Sequence, residues 1–525
     1  MKIGLLRCSW LKCGYAADEI LPRNELAGTS HRLLCRLAVP GRSSYHLCRW
    51  DLCPKHANVV SEFFGIQPLD SIRSDAVRPG KDLSMHQAIA AFGYFVMILL
   101  AWLMSSHRRR FPWRVVIGGT VLQISFAWLI LNTRTGLRVF RITGDFFTTL
   151  LGFVDAGSSM VFGKDYGEHF FAFRVLPTII FFSALMSILY HLGVMQLIVR
   201  QISRVMQVTL GTSGAESLSA SANIFVGQTE APLVVRPYVA TMTRSELMAI
   251  MVGGFATIAG GVMAAYIDMG ISAAHLLTAS VISAPAGLLI AKVLQPEVDV
   301  PVTRGDVSHN MPRTTSNLIE AATAGTSDGL QLALNVGAML IAFLALIAMV
   351  DYALANSSVW IMTEMGYKNP SPITLTTILG TLFSPLAWLM GVEWKECRSA
   401  GELLGLKLVA TEFVAYEKLG GWLKMAEGTQ PLSERASVIV TYALCGFSNF
   451  ASIGIQIGGI GALAPERRRE LTEIAFRAML GGTLACCMTA CIAGILWKPA
   501  DSPKAETSPP EPAVWVLPMS GARSV

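Results

Sequence analysis

Long uncharged stretches alternate with short polar connections over most of this chain. Residues 86 to 106 and 115 to 132 contain no Asp, Glu, Lys or Arg, and further apolar stretches run over 175–199, 246–267, 270–291, 330–350, 434–460 and 472–496. A helix of about 20 apolar residues covers the ~30 Å hydrocarbon core of a bilayer. These segments are therefore expected to be eight membrane-crossing helices. Buried helices of a large soluble protein would need several uncharged runs of spanning length, which soluble folds rarely carry.

Two stretches break the pattern. Gly211 to Tyr238 (GTSGAESLSASANIFVGQTEAPLVVRPY) is crowded with small residues and holds Glu216 and Glu230 in apolar surroundings. Ala400 to Gly421 (AGELLGLKLVATEFVAYEKLGG) embeds Glu412 in the same way. Both read as helix–break–helix hairpins, since irregular backbone at membrane depth survives only where protein or a watery cavity surrounds it. Each is followed by a Gly-rich span, GGFATIAGGVMAAY from Gly253 to Tyr266 and ALCGFSNFASIGIQIGGIG from Ala443 to Gly461. Such helices allow close approach and local unwinding. A Glu-bearing hairpin plus an interrupted helix, occurring twice, outlines an internal repeat, and transporters often place substrate and ion between such repeats.

Composition agrees with a membrane protein: 15% of residues are charged and 52% hydrophobic, against roughly 25% charged in soluble domains. The net charge is +6, and its placement orients the chain. His107-Arg108-Arg109-Arg110 follows the first span and Arg467-Arg468-Arg469 precedes the last. Cytoplasmic loops are rich in Lys and Arg, so the two clusters are expected on one side. That requires an even number of crossings between them, and hence an interfacial or buried 372–390. Both chain ends then lie outside. The loops around Arg200 and Arg204 and around Arg304 and Arg313 fit; Arg134, Arg138 and Arg141 fall in an outside loop.

The ends differ from the middle. Residues 1–84 are Arg-rich and aperiodic, without a signal-peptide core. Their Cys8, Cys13, Cys35, Cys48 and Cys53 lack the histidine spacing of a zinc finger, so no metal site is expected. The simplest expectation is that translation starts at Met85. The tail, 498–525, is Pro- and Ser-rich and expected to be disordered.

The polar residues within the apolar stretches are the candidate machinery: Gln228-Thr229-Glu230, Glu412, Asn449 with Ser452, and Asn223 with Thr257. An intramembrane carboxylate is costly and by default functional; the bland alternative pairs Glu230 with Arg236 and Glu412 with Lys407. As a set they suit a neutral polyhydroxylated heterocycle, with carboxylates and Asn for sugar hydroxyls and Gln and Thr for a base edge. No Arg cluster is present to clamp a phosphate. Asn223 and Thr257 supply hard neutral oxygens suited to an alkali cation. An intramembrane hydrolase using Ser448 or Ser452 would need a nearby histidine, and only His191 and His275 fall in spans.

GQTEAPLVVRPYV, TEFVAYEKL and YALCGFSNFASIGIQIGGIG resemble the signature segments of the concentrative nucleoside transporter family, bacterial nucleoside permeases and sodium/nucleoside symporters, over about Gln87 to Trp497. The resemblance implies an all-α polytopic inner- or plasma-membrane protein with eight transmembrane helices and two re-entrant hairpins, an inverted-repeat elevator transporter acting as a homotrimer. It implies nucleobase contacts from Gln228, Thr229 and Glu230, and ribose contacts from Glu412, Asn449 and Ser452. Val262 and Phe447 would line the pocket, and Asn223, Val226, Thr257 and Ile258 would hold Na⁺. No cofactor is expected beyond the coupling ion, Na⁺ or, in the alternative, H⁺; the partners are nucleoside and lipid, with no nucleic acid and no enzymatic activity. Two departures are Thr257 where the bacterial family prototype has Ser and Thr411 where Asn is familiar. The implied organisation is an extension over 1–84, scaffold helices over 85–204, a first transport repeat over 205–297, a loop, scaffold helix and interfacial segment over 298–397, a second transport repeat over 398–497, and the tail. Mass spectrometry of the mature N-terminus is expected to begin at Met85; peptides from residues 1–84 would overturn that start.

Overall fold

The computed structural model describes residues 79–498, except 164, 167–170, 304–314, 368–370 and 427, together with 31–32 and 51–52. The expectations for the N-terminal cysteines and the disordered tail lie outside the described residues. Ahead of the helical body, β1 (His31–Arg32) and β2 (Asp51–Leu52) pair antiparallel.

From there the described chain is helical. Helices α1 (Pro79–Leu103) and α2 (Trp113–Asn132) match the first two expected spans. The stretch around Arg134 is not a loop but the start of α3, Arg134–Phe162. Thr133 caps that helix by accepting from the Gly136 amide, and its polar and apolar residues segregate to opposite faces. The span expected over 175–199 ends early. Leu176–His191 (α4) stops at Gly193, whose φ of 81° lies in the left-handed region that glycine adopts without strain, and α5 resumes over Val194–Leu210.

Both expected hairpins are present as interrupted helices. The first is α6 (Gly214–Ala222), an irregular stretch, a 3-10 turn at Ala231–Val235 and one helical turn at Arg236–Val239. The second is α12 (Cys397–Val409) and α13 (Glu412–Leu423), parted at Ala410 and Thr411. The helix after each hairpin is broken too. The first splits into α7 (Arg244–Ala256) and α8 (Gly260–Asp268), the second into α14 (Glu434–Leu444) and α15 (Phe450–Leu463). Each set ends in an unbroken helix, α9 (Ala273–Leu294) and α16 (Arg468–Leu496). Between the sets run α10 (Leu318–Glu364) and α11 (Leu375–Leu389).

Seven segments of the described chain are long and apolar enough to cross a membrane. The expected span 434–460 is not among them: its halves, of 11 and 14 residues, are parted over 445–449, a longer interruption than that at 257–259 within Arg244–Asp268. The expected span 330–350 lies inside α10, which at 47 residues is about 70 Å long; its Leu344–Glu364 stretch is long and apolar enough to cross a membrane. At 15 residues, α11 is too short to cross. It packs on α12 so closely that a Cβ on Gly401 would stand 2.4 Å from the Gly380 carbonyl oxygen.

Arginines tie one end of the bundle together. Arg477 donates to the carbonyls of Met104 and Leu294 at 2.7 and 3.0 Å, and Arg467 to those of Ala240 and Met242 at 2.9 and 2.7 Å. The two basic clusters therefore share an end, as the charge pattern requires. The same end anchors the first hairpin. The Lys292 ammonium lies 2.6 Å from Glu216 and 3.0 Å from Glu297, and Ser213 donates to Glu246 at 2.6 Å. Glu216 and Glu246 each complete a capping box, with Ser213 and Thr243. Glu216 is thus a structural anchor. A buried charge is tolerable when paired and hydrogen-bonded on all sides.

The core of this body is formed by α7, α9 and α16, whose facing residues are almost all buried. A Cβ on Gly482 would stand 2.3 Å from Phe255 Cβ. Gly482→Val is expected to cost about 2 kcal/mol by overpacking and to lower the melting temperature of the detergent-purified protein; an unchanged melting curve would contradict this packing.

Candidate functional site

Each of the four interruptions delivers polar groups to the interior of the bundle. The physical reason is common to all: an interrupted helix leaves unpaired N–H groups at one new end and unpaired carbonyls at the other. Such groups are affordable in an apolar interior only when partnered. The breaks therefore meet one another. Phe447 N donates to the Thr257 carbonyl at 3.3 Å, joining the two broken helices, and Gly260 N donates to the Phe225 carbonyl at 3.0 Å, joining the first broken helix to the first hairpin.

Glu412 opens α13, where the positive end of the helix favours a carboxylate. It is 4% exposed. One oxygen accepts from the Tyr266 hydroxyl at 2.9 Å and the other from Asn449 Nδ2 at 3.0 Å. Asn449 is itself the N-cap of α15, its Oδ1 accepting from the Ser452 amide at 2.8 Å. Ser452 Oγ in turn accepts from Gln228 Nε2 at 3.1 Å. Gln456 closes the chain, donating to Gln228 Oε1 at 3.0 Å and to the Met251 carbonyl at 3.2 Å. One network thus runs from the tip of the second hairpin through α15 to the tip of the first.

The remaining candidates lie around this network. Thr229 packs against α15, where a Cβ on Gly459 would stand 2.8 Å from its Cγ2. Val262 is buried on α8, and Phe447 lies in the break before α15. Glu230 is outside the network: its carboxylate accepts from the Gly227 amide at 3.2 Å and faces a cavity of about 230 Å³. That cavity lies between the first hairpin, α4 and α10, and its lining includes Tyr190, Ser183, Val226 and Asp328. Neither bland ion pair forms. Lys407 donates to the Ala443 carbonyl at 2.9 Å rather than to Glu412, and no ion pair of Arg236 with Glu230 is found among the described residues.

Asn223 follows α6 directly and is 0% exposed, yet neither its Oδ1 nor its Nδ2 has a hydrogen-bond partner. Its Nδ2 lies 3.1 Å from where a Cβ on Gly253 would stand, and the Thr257 hydroxyl donates to the Gly253 carbonyl at 3.0 Å. Val226 and Ile258, both buried, occupy the adjoining irregular segments. An unpartnered buried amide calls for an explanation. Neutral oxygens at the carbonyl end of a half-helix fit a small monovalent cation.

Two residues of the network escaped the sequence reading. Tyr266 ends the Gly-rich segment of the first repeat, and nothing local marks its hydroxyl as a partner of Glu412, 146 positions away. Gln456 was legible: it is the polar residue one turn beyond Ser452, on the same helix face. The two spanning histidines face other groups, His191 the Thr315 hydroxyl at 2.7 Å and His275 that of Tyr442 at 3.2 Å. Neither serves Ser448 or Ser452.

Three family models match the chain in sequence order. They are Na⁺ dependent nucleoside transporter N-terminus over residues 92–165, Nucleoside recognition over 172–273, and Na⁺ dependent nucleoside transporter C-terminus over 275–494. Solute carrier family 28 member 3 of Rattus norvegicus is 45% identical over 430 residues, which is 80% of this chain and 60% of the relative. The Homo sapiens protein of that name is 46% identical over 421 residues, 78% of this chain and 60% of the relative. This chain therefore spans about three fifths of the length of those relatives. An uncharacterized transporter of Haemophilus influenzae is 45% identical over 410 residues, 77% of this chain and 96% of its own length. Among solved structures, CNTnw in an inward-facing substrate-bound state is 41% identical with a TM-score of 0.73, covering 79% of this chain and 98% of that one. A CNTnw variant in an outward-facing state gives 40% and 0.72, covering 78% and 98%.

Gln456→Leu is expected to strand Gln228 Oε1 in the interior, at about 1–3 kcal/mol. The measurement is the thermal midpoint in detergent, and a midpoint equal to wild type would remove Gln456 from the network.

Proposed function

The chain belongs to the Na⁺ dependent nucleoside transporter family and is a multi-pass membrane protein, and from that premise we propose that it imports nucleosides by symport with Na⁺. The observation that carries this reading is the convergence of three backbone breaks on one hydrogen-bonded set, Glu412, Asn449, Ser452 and Gln228. A site made of paired donors and acceptors without a cationic clamp suits a neutral, hydroxyl-rich ligand and discriminates against analogues lacking those hydroxyls. Glu412, Asn449 and Ser452 hold the ribose in this reading. Gln228, Thr229 and Glu230 read the base, and Val262 and Phe447 line the pocket. The present hydrogen bonds among these side chains exchange for bonds to the ligand.

Na⁺ is the second substrate, held by Asn223, Thr257 and the carbonyls of Val226 and Ile258. Its support is the unpartnered Asn223 amide beside the last turn of α7. Carried with the ion, the tip of the first hairpin and the first broken helix keep their relative placement, which positions Gln228 for the base. Coupling follows because one ligand pre-orders part of the other's site.

For transport, residues 205–297 and 398–497 form the two repeats of a moving domain, and 85–204 with 298–397 form the scaffold. The broken 434–463 segment counts as the eighth crossing, and the hairpins enter from opposite faces. The moving domain slides against α4 and α10 as an elevator. The long α10 leaves Ile341, Tyr352 and Trp360 exposed at 76%, 74% and 67%, a face suited to two further copies in a homotrimer.

Glu412→Ala is expected to abolish radiolabelled uridine accumulation in proteoliposomes, with surface expression unchanged. Wild-type uptake is expected to rise with external Na⁺ at fixed pH, and Asn223→Ala to weaken the Na⁺ dependence more than the affinity for uridine. Uptake driven by external acid and indifferent to Na⁺ would replace Na⁺ with H⁺ as the coupling ion.

A further inference from the structure

Each repeat sends one polar side chain from the end of its first hairpin helix to the carbonyl end of a half-helix. In the first repeat this is Asn223, just after α6, beside Gly253 in the last turns of α7. In the second it is Lys407, in the last turn of α12, whose Nζ donates at 2.9 Å to the carbonyl of Ala443, the penultimate residue of α14. Lys407 is 1% exposed. Its hydrogen bond goes to backbone and not to Glu412, whose two oxygens are taken by Tyr266 and Asn449.

An ammonium this deeply buried needs compensation. The broken end of α14 contributes to it, because its last carbonyls lack intrahelical donors and carry the negative end of the helix dipole, and the charge of the buried Glu412 adds to it. The broken end of α7 has the same need. There the neighbouring side chain is a neutral amide, which brings no charge of its own.

We propose that the Lys407 ammonium is a tethered cation, occupying in the second repeat the role that an exchangeable Na⁺ fills in the first. This rests on the sodium reading of Asn223 and Thr257. One half-site is therefore permanently loaded. The break carrying Asn449 and Ser452 keeps its shape whether or not Na⁺ is bound, while the break beside Gln228 and Thr229 is set only when Na⁺ arrives. Coupling acts through the base-reading half of the site, and the fold takes up one coupling ion although it has two similar breaks.

The test converts the second repeat to the chemistry of the first. Uridine uptake by full-length protein in proteoliposomes is measured against Na⁺ concentration for wild type, Lys407→Asn and Lys407→Arg. Wild type and Lys407→Arg are expected to give a Hill coefficient of about 1, and Lys407→Asn one rising toward ~2 with a higher half-saturating Na⁺. Lys407→Asn with the wild-type coefficient and Na⁺ requirement overturns the proposal, as does a wild-type coefficient of ~2. If Lys407→Asn is unstable at low Na⁺, its melting curve is titrated with NaCl against choline chloride. Recovery by NaCl alone supports a cation at that place, and a variant unfolded at every NaCl concentration overturns it. Wild-type uptake indifferent to Na⁺ is a separate outcome, which removes the sodium reading itself.

Discussion

A polypeptide within a bilayer has no water to satisfy its backbone, and this chain interrupts four helices inside its apolar body. Everything at the site follows from how those interruptions are paid for. The new ends are placed against one another, so that the Phe447 amide meets the Thr257 carbonyl and the Gly260 amide meets the Phe225 carbonyl. Side chains at the breaks complete the pairing, with Asn449 capping α15 and Glu412 at the positive start of α13. The groups that stabilise the breaks are the same ones available to a ligand. The Glu412, Asn449 and Ser452 half of the site is held together by the bonds these groups make to one another.

The two ends of the repeats are stabilised differently from their centre. At the basic end, Lys292 is surrounded by Glu216, Glu297 and Ser245, and the first hairpin is rooted by two capping boxes. That root is held by short, charged contacts. Its tip ends in Asn223, with neither amide atom partnered. The hairpin is thus fixed at its root and unsatisfied toward its tip. The second hairpin differs, since Lys407 supplies a charge of its own close to the tip.

Glycine allows this assembly where side chains would prevent it. Gly482 lies on Phe255, Gly446 within 2.6 Å of Cys486 Sγ for an added Cβ, and Gly254 within 2.8 Å of Gln456 Nε2 on the same measure. The last of these lets the amide of Gln456 reach Gln228 across α7. Close approach and hydrogen bonding are thus one requirement at this point.

The spans, the two hairpins, the shared side of the basic clusters and most candidate residues were legible in the sequence, because each is a local property. Absence of charge over a bilayer's thickness, a carboxylate among apolar residues and a run of glycines need no knowledge of the rest of the chain. The helix boundaries were less legible: the stretch around Arg134 reads as a loop but opens α3, and the span at 330–350 is only part of the 47-residue α10. Pairing was decided by the tertiary structure alone. Sequence left Lys407 as a partner for Glu412, and folding gave Glu412 to Tyr266 and Asn449 and Lys407 to the end of α14. The reason is geometric: a buried hydrogen bond depends on atoms brought within about 3 Å, and which residues come that close is settled by packing between segments far apart in the chain.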